Sequence, residues 1–158
     1  MLPLEKNISK QMANTIYDTI PQLYTYGMFE SIARRWSSQF NETSKIPSNF
    51  KSIPECIHND ILGWADAPSL SNLNTAIFFR DKSVEHPSIR KKIDFMKELF
   101  TSINTPFMDV NIIGKKDLEK FVYLLLVGDF TSYYLALLRK VDPGSISAAQ
   151  SLQKERFH

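Results

Sequence analysis

The chain has 158 residues, 43% of them hydrophobic and 12% aromatic. That is enough for one domain whose core needs neither disulfides nor metal. Nineteen Lys and Arg against seventeen Asp and Glu leave a net charge of +2, too balanced for a chain that works by neutralising phosphate backbones. A charged fraction of 23% argues against disorder, and the single cysteine, Cys56, excludes a disulfide framework and a four-cysteine zinc site.

The first ten residues carry Glu5, Lys6 and Lys10 and no apolar core of a signal peptide. Between Leu4 and Ile20, apolar Ile8, Met12, Ile16 and Ile20 recur every four residues. This predicts a helix over residues 1–20 that acts as a lead-in to a domain over 21–158, with Pro21 as its stop. Leu23 to Tyr26 reads as a strand closed by Gly27, and Met28 to Phe40 as a helix with Phe29, Ile32, Ala33, Trp36 and Phe40 inward. Residues 41–54 and 65–74 are rich in Asn, Ser and Pro and read as loops, with one or two helical turns at His58 to Trp64 between them.

Thr75 to Phe79 reads as a buried strand, and Pro87 opens a helix striped by Ile89, Ile93, Met96, Phe100 and Ile103. Phe107 to Ile113 is a further strand. Asp117 to Lys140 is a long apolar helix that Gly128 and Asp129 are expected to interrupt, leaving neither half able to span a bilayer. Asp142-Pro143-Gly144 is a turn, and a short helix is expected over Ile146 to Arg156. Strands alternating with helices predict an α/β fold, a three-layer sandwich with a mostly parallel sheet flanked by helices. With one thiol and no export signal, the cytoplasm is the expected compartment.

No Gly-rich phosphate loop and no G-x-S-x-G elbow is present, and His58, His86 and His158 show no metal-ligand spacing, so no metal site is expected. What stands out is a polar cluster: Asn41, Glu42, Lys45, Glu55, His58, Asn59 and Asp60. Glutamate and histidine are the natural pair for moving protons near neutral pH, although a solvated loop would look the same in composition. Trp36 and Trp64 are expected in the core and Cys56 as a small buried thiol. Arg34 and Arg35 read as helix surface, from which one could hold Glu42.

The order Arg34-Arg35-Trp36-Ser37-Ser38-Gln39-Phe40-Asn41-Glu42-Thr43-Ser44-Lys45, then Ile53-Pro54-Glu55, then His58-Asn59-Asp60-Ile61-Leu62-Gly63-Trp64, resembles one family. It is the C-terminal half of the bifunctional phosphoglucose/phosphomannose isomerases of archaeal type. The run Tyr134 to Pro143 resembles the family's closing helix and turn. Ser37 stands where the family has lysine, and Asp60 where it has another acid. The resemblance covers the chain from about Pro21 onward and implies a sugar-isomerase (SIS) domain.

That resemblance implies aldose–ketose isomerisation of glucose 6-phosphate or mannose 6-phosphate and fructose 6-phosphate through a cis-enediol. Glu42 is the implied base and His58 the implied helper at the sugar oxygens, supplied by a neighbouring subunit, so that a homodimer is expected. Asn41 and Arg35 are the implied substrate contacts, and no cofactor is called for. The family's C-terminal lysine aligns with Gln153, one position before Lys154, leaving two alternatives: Lys154 serves, or the lysine is lost. The family's phosphate loop and enediolate-stabilising arginine belong to an N-terminal SIS half, expected here on a separate chain. The expected partners are therefore a sugar phosphate and that chain, with no nucleic acid and no membrane. The rival expectation is a non-catalytic sugar-phosphate binding or regulatory module.

Overall fold

The computed structural model describes residues 3–145. The expected helix at Ile146 to Arg156, with Gln153 and Lys154, lies outside the described residues. After a single tight turn at Leu4–Lys6 comes α1 (Ile8–Thr15), whose first turn is capped by the Asn7 side chain accepting from Lys10 N. It ends earlier than the Ile20 expected, because Asp18 adopts a left-handed φ of 64° and turns the chain into a strand. That strand, β1 (Ile20–Thr25), contains Pro21, which therefore does more than stop a helix. Its missing N–H is harmless: Ile20 N donates to Leu73 O on the β3 side, and on the other side the ladder begins only at Gln22 opposite Asn49.

The elements that follow are α2 (Glu30–Glu42), β2 (Asn49–Ser52), α3 (Cys56–Asp66), the single helical turn α4 (Pro68–Ser71), β3 (Asn74–Arg80), α5 (Pro87–Ser102), β4 (Phe107–Asn111) and α6 (Asp117–Leu138). Strand β2 corrects the expectation of a loop over 41–54. Its sequence Asn-Phe-Lys-Ser has no apolar run because it is an edge strand, exposed or half-buried throughout. Segment α3 is three turns long rather than one or two. The sheet order is β2-β1-β3-β4 with every pair parallel, which bears out the α/β sandwich.

Alternation along the strands builds two cores. Leu23, Ile77, Phe79 and Val110 face α1, α2 and α6, while Tyr24, Ala76 and Phe78 face α3 and α5. β3 is buried on both faces along its whole length, as expected of a central parallel strand. Helix α5 begins at Pro87 under a cap in which the His86 ring accepts from Ser88 N.

Helix α6 runs through Gly128 and Asp129 without a break, contrary to expectation. Gly128 is there for a different reason. A Cβ on it would lie 2.2 Å from Trp36 Nε1, so the glycine lets the indole of α2 press against the backbone of α6. Trp36 Nε1 donates to Leu124 O at 2.9 Å, and the ring meets Phe79 edge-on at 4.8 Å. Unbroken, α6 has the length and composition to cross a bilayer. Its inner face nevertheless packs on α1, α2 and the sheet as one layer of the sandwich, and carries Lys120, Thr131 and Ser132.

Substituting Gly128→Ala forces Trp36 out of its seat. Urea unfolding should show a loss of about 1–3 kcal/mol, the cost typical of overpacking. An unchanged midpoint would mean that the close approach is not needed.

Candidate functional site

Glu42 is the last residue of α2. The helix follows β1 and runs back antiparallel to it, so Glu42 lies at the edge of the sheet where the strands begin. Glu42 is exposed, and its carboxylate has no partner among the described residues. The segment behind it is held firmly. Lys45, at φ 54°, donates through Nζ to the Glu42 carbonyl. Ser44 Oγ donates to Ser132 O at 2.8 Å, and Arg139 at the end of α6 donates through Nε to Ser44 O at 3.1 Å. Asn41, also exposed, donates through Nδ2 to Ser37 O at 2.7 Å. Ser37, in the place of the family's lysine, donates to Ser48 O at 2.7 Å and ties α2 to the start of β2.

His58 lies on the first turn of α3, exposed, at the opposite edge. The path to it leaves the carboxyl end of β2, where Ile53 N donates to Thr25 O. Asp60 anchors this turn. Its carboxylate accepts from Tyr24 Oη and Trp64 Nε1, each at 3.1 Å, and pairs with Lys51 Nζ at 3.0 Å. Trp64 is half-buried rather than fully in the core, and it lines an open hollow of about 500 Å³ with Lys51, Asn59, Asp60, Gly63 and Leu70. Cys56 is buried, as expected. Burial, with the Asp60 charge adding to it, pushes its thiol up to about 12, the environment of a structural thiol.

Within one chain the structure does not bring Glu42 and His58 together. They lie on different faces of the sheet and at opposite edges. The four residues of β2, about 10 Å of strand, and the loops at both its ends stand between them. Arg35 does not hold Glu42 either. It reaches Asp129 of α6 at 3.5 Å, and Arg34 sits over the Phe50 ring.

Open parallel sheets bind ligands where the strand order reverses, here between the carboxyl ends of β1 and β3. That crevice is occupied by the protein's own charges. Arg80 holds Glu85 with two 2.7 Å hydrogen bonds, from Nε and from Nη2. Tyr26 Oη donates to Glu85 Oε1 at 3.3 Å and accepts from Asp81 N at 2.9 Å. Lys120 Nζ meets Asp81 at 2.6 Å, and Lys97 Nζ meets Asp109 at 2.6 Å. Burial alone would push the Glu85 carboxyl up, but the Arg80 hydrogen bonds and charge outweigh it and hold it below its ordinary range. Burial pushes the Tyr26 hydroxyl up to about 12, so it stays a neutral donor.

Sequence reasoning missed this cluster. The signal was Arg80-Asp81 directly after the apolar strand Thr75 to Phe79, a place where charges rarely sit without partners. No group of three metal-ligating side chains occurs among the described residues.

A family model described as the bacterial phospho-glucose isomerase C-terminal SIS domain matches residues 5–155. The bifunctional phosphoglucose/phosphomannose isomerase of Aquifex aeolicus is 30% identical over 150 residues, covering 95% of this chain and 46% of the relative. The enzyme of the same name from Thermoplasma volcanium is 32% identical over 151 residues, covering 96% and 47%. Among solved structures, a glucose-6-phosphate isomerase like protein from Thermus thermophilus superposes with a TM-score of 0.75 at 22% identity, covering 93% of this chain and 49% of that one. The chain thus spans about half the length of the curated relatives it matches.

Glu85→Gln leaves the Arg80 guanidinium without its main counter-charge in a buried place. At pH 7 it should cost about 3–5 kcal/mol in urea unfolding. Because the folded carboxyl titrates below its unfolded value of about 4.3, the native contribution is complete above that pH and is lost as pH falls through the folded value. Between pH 7 and pH 3 the native chain should therefore lose more stability than Glu85→Gln. Equal losses would show that the pair is not stabilising.

Proposed function

The chain belongs to the family of bacterial phosphoglucose isomerase C-terminal SIS domains, and from that membership we propose that it supplies the proton-transferring half of a sugar-phosphate isomerase. The substrates are glucose 6-phosphate or mannose 6-phosphate and fructose 6-phosphate. The observation that carries the reading is the state of Glu42, a motif carboxylate exposed at the end of α2 and unengaged among the described residues. The other carboxylates described above, on Asp60, Asp81, Glu85 and Asp109, are bound up in ion pairs.

The Glu42 carboxylate takes the proton from C2 of the open-chain aldose, leaving a cis-enediol, and returns it to C1 to give the ketose. A second group moves the proton between the two oxygens, and His58 has the type for it. Separation of Glu42 and His58 within the chain supports a site shared between two copies, with His58 supplied by the neighbour. Asn41, next to the base, and Arg35, two turns before it on α2, are the proposed substrate contacts, and Lys154 is the candidate for assisting ring opening. The chemistry calls on no metal or organic cofactor. Among the described residues no phosphate anchor stands beside Glu42, and the crevice is lined by ion pairs. The anchor therefore belongs to an N-terminal SIS unit, the half of the relatives that this chain does not match. The same filled crevice lends no support to an autonomous sugar-phosphate sensor.

The test is exchange of the C1 and C2 protons of fructose 6-phosphate in D₂O, followed by proton NMR on the chain assembled with such a unit. Glu42→Gln should slow exchange by about 10²–10⁴-fold. Mixing Glu42→Gln with His58→Ala chains should restore part of it through hybrid sites. Exchange indifferent to Glu42→Gln would reject the reading. Absence of recovery with dimers shown to exchange subunits would reject the shared site.

A further inference from the structure

The geometry points to the outer face of α6 as the seat of the second SIS unit, an inference that rests on the function proposed above. A helix that is apolar all round is normally buried all round. In the described structure α6 is covered only on its inner side, by Leu124, Val127 and Leu135 against α1, α2 and the sheet. Outward it presents Leu118, Val122, Leu126, Phe130, Tyr133 and Leu137, which are 46–73% exposed. Their spacing of four, four, four, three and four residues makes one stripe along a helix about 33 Å long. A continuous apolar stripe of that length marks an interaction surface.

Three observations choose the occupant. The first is where the chain enters. The turn at Leu4–Lys6 and helix α1 share a hollow of about 410 Å³ with the far end of α6, lined by Leu4, Lys10, Asn14, Tyr134, Leu137 and Leu138. The matched family model is that of a C-terminal domain, and the relatives are about twice as long. In them, the preceding half is therefore delivered to the end of this stripe. The second is the neighbourhood of the base. Arg139, just beyond the stripe, bonds Ser44 O and Lys45 O, so a body seated on α6 abuts Glu42. The third is the filled crevice between β1 and β3, which leaves the phosphate to be held by the occupant. A second copy of this chain has the same filled crevice and does not meet that need.

A photo-crosslinking amino acid at position 126, introduced in the full-length protein in its own cells, tests the surface. Mass spectrometry then identifies the joined peptide. The expected product joins Leu126's position to an SIS-type α/β sequence outside residues 3–145, whether on the same polypeptide or another. The same probe at Phe95, 54% exposed on α5, should not give it. Phe130→Glu should reduce the product at least tenfold, with circular dichroism unchanged because Phe130 lies outside the core of this domain. Crosslinks to a second copy of residues 3–145, to residues 146–158, to lipid, or to nothing would each overturn the inference. Proton exchange that survives Phe130→Glu while the crosslink is lost would overturn it too. A crosslinked assembly that shows no exchange with fructose 6-phosphate would uphold the seat and reject the function.

Discussion

The indole of Trp36, lying against the bare backbone of Gly128, is the contact on which the arrangement of one face of this protein depends. It fixes the distance between α2 and α6, and its hydrogen bond to Leu124 O fixes their register. Phe40, one turn on, closes the same cluster, and the segment Ser44–Lys45 is bonded to the end of α6. The rotation of α2 about its axis is thereby set, and with it the direction in which Glu42 leaves the fold. The proposed base gains from being held at one orientation, because geometry imposed in advance need not be found during the reaction.

The sandwich was legible because the buried elements carry their own periodicity. Thr75 to Phe79 could only be an inner strand, and the stripes of α2 and α5 matched the buried residues. The edge strand Asn49–Ser52 was not legible. An edge needs neither a second apolar face nor an apolar run, and Asn, Lys and Ser disguised it as loop. Gly128 was misread for a related reason: glycine in a helix signals weakness locally, while here it answers a side chain 92 positions away in sequence. The motif residues Glu42 and His58 could be read, but not their separation, since sequence proximity says nothing about which edge of the sheet each one reaches.

The charged crevice explains how a fold built for binding at its switch point can do without it. In an open parallel sheet that crevice is a concentration of strand ends and unsatisfied groups. Here Arg80 and Glu85, Tyr26 and Glu85, and Asp81 and Lys120 pair with one another. Breaking a buried pair from one side is costly, because it leaves an uncompensated charge. The charges of this crevice are engaged with one another, while the exposed end of α2 and the outer face of α6 face outward.

The placement of Glu42 and His58 at opposite edges has a consequence for concentration. In the proposed site, two groups that one chain holds apart would work at a rate set by how many chains have met, not by how many are folded. On dilution below the dissociation constant of the pair, the rate per chain would fall in proportion to concentration, with every chain still native. Under that proposal the folded state and the working state are two separate equilibria, and the second depends on how much of the protein is present.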